Sequence, residues 1–329
     1  MNKRERLEKT IAGEPTDRVP VALWRHWPGD DQRPADLAQA VIDFQNRWDF
    51  DFVKVTPASS YCITDYGAED EWVGHLEGTR QYTKRAVEKP EDWYKLGKLD
   101  PTAGHLGNQL ETLRLVKAGL KDDAPLLHTI FNPLSQIKNI AGADRLLEHM
   151  RRHPAEFKAG LETITENILR YIDALQQNTE IDGIFYAIQH ASHAKMSEEE
   201  YLEFGKPYDQ RILEALPQKW WFNMAHLHGP QPMFNMVSDY PVQAINWHDR
   251  EITPSRETGS KMFGGAACGG LGHWDAVHNG TPEDVRKQAC DAILQTEGRS
   301  FILSTGCVLI TTSPVSNIRM VREVVDDNK

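Results

Sequence analysis

The sequence contains little cysteine, no long hydrophobic run and no excess of basic residues. Its four cysteines form no CxxC pair in 329 residues, so they provide no disulfide framework and are typical of a reducing compartment. No stretch approaches the ~20 apolar residues of a transmembrane helix. The charged N-terminus lacks the apolar segment of a secretion signal. These absences predict a cytoplasmic protein without a membrane span.

The charge balance restricts the expected partners. The chain has 37 basic and 48 acidic side chains, and its formal net charge is −11. Proteins that bind the phosphate backbone of nucleic acids usually carry a basic face. We therefore expect a small-molecule substrate and no nucleic-acid partner, although this total still allows a local basic pocket.

Apolar and aromatic residues are plentiful. Hydrophobic side chains make up 40% of the chain, which includes nine Trp, eleven Phe and nine Tyr. This composition excludes a predominantly disordered chain and supports a large packed core. No repeat and no linker rich in glycine, proline or serine divides the sequence, so we expect residues 1–329 to form a single domain.

Short apolar runs alternate with amphipathic helical stretches along the whole chain. Most of these runs are continuously apolar, as expected of parallel strands covered on both faces. The eight predicted strands are residues 19–24, 51–55, 126–131, 183–188, 220–225, 244–247, 262–266 and 301–305. This alternation predicts an α/β fold, a TIM-type (β/α)8 barrel. A doubly wound open sheet is the alternative, but no GxGxxG motif follows the first strand.

Helix starts carry capping signals. Ser197 and the three glutamates after it predict a capping box for a helix that runs toward Leu216. Thr281 precedes a proline and two acidic residues, the order expected at a helix N-terminus. Ser313 and Pro314 indicate the start of the last helix in the same way.

Residues 59–99 interrupt the alternation of strands and helices. Roughly forty residues are many for a connection between a strand and a helix, and long loops are often functional. The segment follows the second predicted strand, at the end of the barrel where active sites lie. We therefore predict that it is an insertion that forms a lid over the barrel mouth.

Two histidines follow the fifth predicted strand, and a cysteine follows the eighth. His226 and His228 are two residues apart, so in an extended segment both side chains point the same way. Cys307 lies at the same end of the barrel, where a thiolate would complete a three-ligand site with one open position, as in catalytic zinc centres. The alternative is that one histidine caps the following helix and the other forms a hydrogen bond in the core.

Other residues near the ends of the predicted strands are candidates for catalysis or ligand binding. Arg25 and His26 could bind a carboxylate substrate or form a salt bridge across the barrel mouth. Gln189 and His190 follow the fourth strand and are further candidate catalytic residues. The candidate cofactor-binding residues are Trp24, Asn132, Trp247, Gly265 and Cys268.

Four groups of residues, spread over nearly the whole chain, share their order and spacing with one known family. They are Arg4-Glu5-Arg6 with Asp17-Arg18-Val19-Pro20, Met196-Ser197 with Pro207-Tyr208, Gly280-Thr281-Pro282-Glu283-Asp284, and Ser304-Thr305-Gly306-Cys307. On these motifs the chain resembles the uroporphyrinogen decarboxylase superfamily. The resemblance implies a (β/α)8 barrel whose active site lies at the carboxyl ends of the strands.

The chain differs from true uroporphyrinogen decarboxylases at three functional positions. Their arginine-rich signature after the first strand is reduced here to Arg25 alone. Thr56 stands where they have a catalytic aspartate, and Cys307 stands where they have a histidine. Decarboxylation of a smaller or tetrapyrrole carboxylic acid, with Arg25 as the carboxylate-binding residue, is therefore kept only as the alternative reaction.

The chain resembles more closely the other branch of the superfamily, the cobalamin-dependent methyltransferases. These enzymes bind zinc through a His-x-Cys motif after the fifth strand and a cysteine after the eighth. On that pattern the implied zinc ligands are His226, His228 and Cys307, with His228 in the position of a cysteine. The resemblance implies methyl transfer between a corrinoid (methylcobalamin), carried on a partner protein, and a small thiol, ether or amine.

The exchange of a cysteine for His228 has a chemical consequence. A metal with fewer thiolate ligands is less electron-rich, which favours an oxygen or nitrogen substrate over a thiol. A non-catalytic barrel that binds a corrinoid or tetrapyrrole is the third hypothesis. The resemblance also implies a homodimer, because the decarboxylase relatives are often dimers.

Overall fold

Nine strands lie within residues 1–327, the part of the chain that the computed structural model describes. They are β1 (Val53–Val55), β2 (Glu69–Glu71), β3 (Gln81–Lys84), β4 (Leu126–Phe131), β5 (Gly183–Ile188), β6 (Met224–Leu227), β7 (Ala244–Trp247), β8 (Ala266–Leu271) and β9 (Phe301–Thr305). Seven form one parallel sheet in the order β1-β4-β5-β6-β7-β8-β9, and β2 pairs with β3 as an antiparallel hairpin. Every residue of the seven parallel strands is buried, as expected of a sheet covered on both faces.

Helices connect the parallel strands and cover the sheet. They are α1 (Lys3–Ile11), α2 (Pro34–Trp48), α3 (Gly104–Gly119), α4 (Pro133–Ala141), α5 (Ala143–Arg152), α6 (Pro154–Asn178), α7 (Glu198–Phe204), α8 (Lys206–Glu214), α9 (Phe234–Val237), α10 (Arg256–Met262), α11 (Pro282–Thr296) and α12 (Val315–Asp327). None of the helices in residues 1–327 is long and apolar enough to cross a membrane.

The capping box predicted before α7 and the helix start predicted at Thr281 before α11 are confirmed, and α11 also begins with a capping box. The side chains of Ser197 and Thr281 each accept a hydrogen bond from the backbone N–H three residues later, and Glu200 and Asp284 accept one in return. The last helix, α12, begins directly after Ser313 and Pro314, as predicted.

The prediction of one continuous helix from residue 198 toward Leu216 is wrong. The helix is divided at Gly205 into α7 and α8. Pro207 explains the division, because a proline inside a helix cannot donate a backbone hydrogen bond and its ring clashes with the preceding turn.

The first predicted strand, residues 19–24, is an extended segment without a regular ladder. Val21 forms a single parallel bridge to Leu303 of β9, and its carbonyl accepts the backbone N–H of Asp51 just before β1. Pro20 has no N–H, and the N–H of Val21 donates to the Asp51 carboxylate instead of a strand. Residues 19–24, the closing segment, therefore lie between β9 and β1. Together with the seven regular strands they complete the TIM-type arrangement.

Two other predicted strands are shifted along the chain. The strand predicted at residues 220–225 lies at residues 224–227 (β6), and the strand predicted at residues 262–266 lies at residues 266–271 (β8). The second shift arises because Ser255 caps α10 and this helix extends to Met262. As a result Gly265 precedes β8 and lies at the amino end of the sheet, the end opposite to that of a barrel active site.

Asp51 connects the N-terminal helix, the closing segment and the sheet. Its fully buried carboxylate accepts hydrogen bonds from Arg6 Nη1 at 2.6 Å, from Arg18 Nη1 at 2.7 Å and from the backbone N–H of Val21 at 2.7 Å. Arg6 also pairs with Asp17. The Arg6 and Asp17-Arg18 parts of the sequence motifs are therefore structural.

The insertion of residues 59–99 packs onto the barrel through buried side chains. The hydroxyl of Tyr61 donates to the carbonyl of Thr129 in β4. The tip of the insertion reaches the opposite side of the barrel, where the carbonyl of Leu76 accepts the N–H of Thr311. The insertion thus lies across the carboxyl end of the sheet, and its function as a lid stays a prediction.

Candidate metal centre

A cavity lies at the carboxyl ends of the parallel strands, where the sequence predicts an active site. Its free volume is about 80 Å³. Its apolar walls include Trp24, Phe131 and Phe185, and its polar lining includes His26, Lys54, Gln189, His226, His228 and Cys307. The space suits a small substrate group and is far too small for a porphyrinogen.

One thiol and three imidazoles converge at one side of this cavity, where Cys307, His226 and His228 line it. The ligand atoms of His228, His248 and Cys307 all lie within 4.8 Å of one another. His226 Nε2 lies 3.9 Å from Cys307 Sγ. The structure therefore brings together the three predicted ligands and adds His248, which follows β7.

The orientation of His226 is set by Asn246 of β7. Asn246 Nδ2 donates to the carbonyls of Cys268 and Thr305, at 2.9 and 3.0 Å, so its amide oxygen must face His226. That oxygen lies 2.6 Å from His226 Nδ1 and accepts its proton. The lone pair of His226 is thereby placed on Nε2, which faces Cys307. Metal-binding histidines are commonly fixed by such a hydrogen bond on the opposite ring nitrogen.

The electrostatics favour a thiolate at Cys307. Burial opposes ionisation of this thiol, but His226, His228 and His248 outweigh it and hold the pKa of Cys307 well below its usual value. Burial also disfavours a charged His248, but Cys307 and Glu251 outweigh that effect and raise the pKa of His248 to about 10. The cluster therefore stabilises a positive charge next to the thiolate, which is the property that a bound cation needs.

The donor set fits zinc. Nε2 of His248 is a buried nitrogen without a hydrogen-bond partner in residues 1–327. Imidazole nitrogens and a thiolate are preferred zinc ligands, and three protein ligands with a further position for substrate are typical of catalytic sites. His226, His228, His248 and Cys307 can supply those ligands.

Glycine is required between β9 and Cys307. A Cβ on Gly306 would lie 2.7 Å from the Cα of His248 and 2.8 Å from the carbonyl oxygen of Trp247. Real side chains are not found this close to backbone atoms, so only glycine lets the two chain segments approach. This close approach explains how Cys307 reaches His248 although they follow different strands.

Glu251 contacts His248 at its ring nitrogen Nδ1. Nδ1 of His248 lies 3.3 Å from one carboxylate oxygen of Glu251, and Nδ1 of His273 lies 3.2 Å from the other. His273 also lies 3.8 Å from Glu77 of the insertion. Glu251 therefore orients His248 as a carboxylate orients a zinc-binding histidine.

Of the four predicted catalytic residues, two line the cavity and two do not. His26 and Gln189 line it. The guanidinium of Arg25 instead stacks on Trp27, at 4.8 Å from the ring centre. His190 is buried outside the cavity, and burial lowers its pKa to about 3, so it is neutral.

Of the five predicted cofactor-binding residues, only Trp24 lines the cavity. Asn132 is fully buried, donates to Asp209 at 3.0 Å and caps α4 through Ser135. Trp247 is fully buried and donates to the carbonyl of Pro254. These two side chains therefore have structural roles.

The glycine-rich stretch around β8 has a structural role as well. A Cβ on Gly265 would lie 2.3 Å from the carbonyl oxygen of Gln243, so this glycine permits close packing of two chain segments. Cys268 lies within β8 and is fully buried, and burial raises the pKa of its thiol far above the usual value. A permanently neutral thiol is inert as a ligand or nucleophile.

Sequence reasoning missed Asn246, His248, Glu251 and Lys54. Asn246 and Lys54 lie inside apolar strands and resemble tolerated polar residues of the core. His248 directly follows β7, so its position at a strand end was the one signal that could have identified it.

The role of Asn246 can be tested with Asn246→Leu. We expect zinc affinity to fall about 10- to 100-fold, the usual effect of removing the partner of a metal-binding histidine. Asn132→Leu is the matched control, because Asn132 is equally buried and hydrogen-bonded but its partners are Asp209 and Ser135 and not a histidine of the cluster. Competition with a chelator measures the affinity. Equal affinities of the two variants would contradict this role.

The chain belongs to the uroporphyrinogen decarboxylase (URO-D) family, whose model matches residues 2–328. It is similar to methylcobamide:CoM methyltransferase MtbA of Methanosarcina acetivorans, with 23% identity over 349 residues, 99% of this chain and 98% of that protein. It is also similar to a methylated-thiol–coenzyme M methyltransferase of Methanosarcina mazei, with 24% identity over 241 residues, 72% of this chain and 62% of that protein. Both relatives are methyltransferases, which confirms the placement of the chain on that side of the family.

Solved structures confirm the fold. A methyltransferase from Methanosarcina mazei superposes with a TM-score of 0.87 at 16% identity, over 100% of this chain and 99% of that one. A B12-independent methionine synthase from Shewanella sp. W3-18-1 superposes with a TM-score of 0.60 at 12% identity, over 95% of each chain. At these identities the similarity concerns the fold alone.

Proposed function

We propose that this chain is a zinc-dependent methyltransferase that moves a methyl group between a corrinoid and a small thiol, ether or amine. The observation that carries the proposal is the convergence of the Cys307 thiolate with His226, His228 and His248 at the carboxyl end of the sheet. We further propose that the corrinoid is delivered by a partner protein. The named activities of the two curated relatives support the proposal.

The residues of the chain have separate tasks in this scheme. His226, His228, His248 and Cys307 supply the metal ligands, and Asn246 and Glu251 hold two of the imidazoles in their binding orientation. Zinc bound there would act as a Lewis acid that stabilises the anionic form of a substrate heteroatom at neutral pH. The rings of Trp24 and Phe185 wall the cavity and exclude water from the reacting group.

The ligand set also bears on the substrate. With Cys307 as the sole thiolate of the cluster, the metal carries less negative charge than one bound by two thiolates. A metal whose ligands donate less electron density is a stronger Lewis acid. Oxygen and nitrogen substrates are therefore included in the proposal beside thiols.

The insertion is proposed to control access. Residues 59–99 lie across the cavity, and Glu77 near their tip contacts His273 and Trp274 on the far side of the barrel. A corrin ring cannot enter a cavity of about 80 Å³. We propose that the insertion moves away when the corrinoid approaches, so that it acts as the predicted lid.

The decarboxylase alternative receives no support from the site. It requires Arg25 to bind a substrate carboxylate, but this guanidinium stacks on Trp27 and does not line the cavity. Thr56 lines the cavity where a decarboxylase would have its aspartate.

The proposal is tested by supplying the purified protein with zinc and methylcobalamin and offering a panel of small thiols, alcohols and amines. Loss of the methylcobalamin absorption spectrum, dependent on zinc and on one substrate class, is the expected result. The same mixture without zinc is the control. Complete absence of methyl transfer with every class, in both directions, would contradict the proposal.

A further inference from the structure

Lys54 places a buried amino group in the wall of the cavity. It lies in β1, its residue is 7% exposed, and it lines the cavity together with Cys307. Its Nζ donates a hydrogen bond to Thr56 Oγ1 at 3.1 Å. The same nitrogen lies 4.5 Å from the ring centre of Phe185 and 5.8 Å from that of Trp24. A hydroxyl and two ring faces therefore replace most of the water around this ammonium group.

Lys54 has no carboxylate within ion-pair distance in residues 1–327, unlike the buried arginines of the chain. Arg6 and Arg18 pair with Asp51, and Arg256 pairs with Asp249. A buried charge without a partner is strongly unfavourable. In agreement, burial lowers the pKa of Lys54 to about 7.

The cavity offers little negative charge to offset Lys54. The thiolate of Cys307 is the one group that favours its charged form, and a metal bound to Cys307 would neutralise that charge. Glu77 is the sole carboxylate of the cavity lining, and it is engaged by His273 and Trp274. A ligand is the remaining source of a counter-charge.

We propose that Lys54 is the residue that selects a small organic anion as the substrate, by pairing with its carboxylate or a similar acidic group. The reacting heteroatom would lie at the Cys307 end of the cavity and the acidic group at the Lys54 end. A water needs about 10–15 Å³ of such space, so the cavity of about 80 Å³ holds a molecule of only a few heavy atoms. The role in methyl transfer rests on the proposed function, but recognition of the anion does not require metal.

The test compares two isosteric ligands, 3-mercaptopropionate and 3-mercaptopropionamide, by titration calorimetry with zinc-loaded protein. The unaltered protein is expected to bind 3-mercaptopropionate with a Kd at least about tenfold lower than that of 3-mercaptopropionamide. Lys54→Met is expected to abolish this preference without weakening the amide, and Lys54→Arg to retain part of it. Lys206→Met is the matched control, because Lys206 lies near a ring but outside the cavity and pairs with Asp239.

Propionate and propionamide, titrated into zinc-free protein, separate this inference from the proposed function. A carboxylate preference that depends on Lys54 in these titrations supports the inference even if zinc or methyl transfer is absent. Equal binding of acid and amide by the unaltered protein, in both series, would overturn it. Loss of turnover in Lys54→Met with an unchanged carboxylate preference would also overturn it, because the residue would then act in proton transfer.

Discussion

Replacing Cys307 with serine is expected to lower methyl transfer by about a thousandfold. Lewis-acid stabilisation by a bound metal contributes several kcal/mol to the transition state, and each ~1.4 kcal/mol is a factor of ten in rate. Cys307 is the sole thiolate of the cluster and lies within 4.8 Å of two imidazole donors. The measurement is the rate of methylcobalamin demethylation at saturating substrate.

Cys268→Ala is the matched control for this prediction. Cys268 is as buried as Cys307, but its thiol is neutral and it does not line the cavity. We expect the control to retain activity within a few fold. Comparable loss in both variants would mean that the effect comes from packing and not from the metal centre.

Replacing Asp51 with alanine is expected to lower the free energy of unfolding by about 3–5 kcal/mol, the usual cost of removing one partner from a buried ion pair. The change removes the fully buried carboxylate shared by Arg6 and Arg18, which keep only the more exposed Asp17 and Asp326. It also leaves the N–H of Val21 without an acceptor. Because these groups connect α1, residues 19–24 and β1, we expect the unfolding transition to shift to a lower urea concentration. Urea denaturation followed by circular dichroism measures the effect.

Glu8→Ala is the control for the stability measurement. Glu8 forms an exposed pair with Arg4 four residues earlier on α1, and such pairs contribute about 0.3–0.5 kcal/mol. A similar, small loss in both variants would contradict the account of Asp51.

Much of the fold follows from the sequence because parallel strands buried on both faces are continuously apolar. The strands at 126–131, 183–188, 244–247 and 301–305 have the predicted bounds. The errors occur where a local pattern was ambiguous. Residues 262–266 look like a strand, but the cap at Ser255 starts a helix that runs into them.

The site was only partly predictable. The spacing of His226 and His228, with Cys307 after the last strand, is a local signal that needs no tertiary information. His248 joins them because Gly306 lets two distant chain segments approach within van der Waals distance, and that approach leaves no periodic pattern. Lys54 was missed because a single lysine in an apolar strand resembles a residue whose charged end reaches solvent.

Four of the five predicted cofactor-binding residues lie away from the cavity. Trp247 lies at the carboxyl end of its strand, but its side chain points into packing and not into the cavity. Gly265 was assigned to the carboxyl end of a strand whose true start is one residue later. An error of a few residues in the predicted bounds of a strand assigns a residue to the wrong end of a parallel sheet. The choice of binding residues therefore depends on strand bounds that local patterns do not define.

The central claim, a zinc site at the cluster, is tested most directly by metal analysis. The protein would be purified without chelators or a histidine tag, supplied with zinc, dialysed and measured by mass spectrometry beside Cys307→Ser, His228→Ala, His248→Ala and the control Cys268→Ala. About one zinc per chain is expected in the unaltered protein and the control, and a marked loss in the three cluster variants. Absence of zinc from the unaltered protein, or equal zinc in all variants, would contradict it.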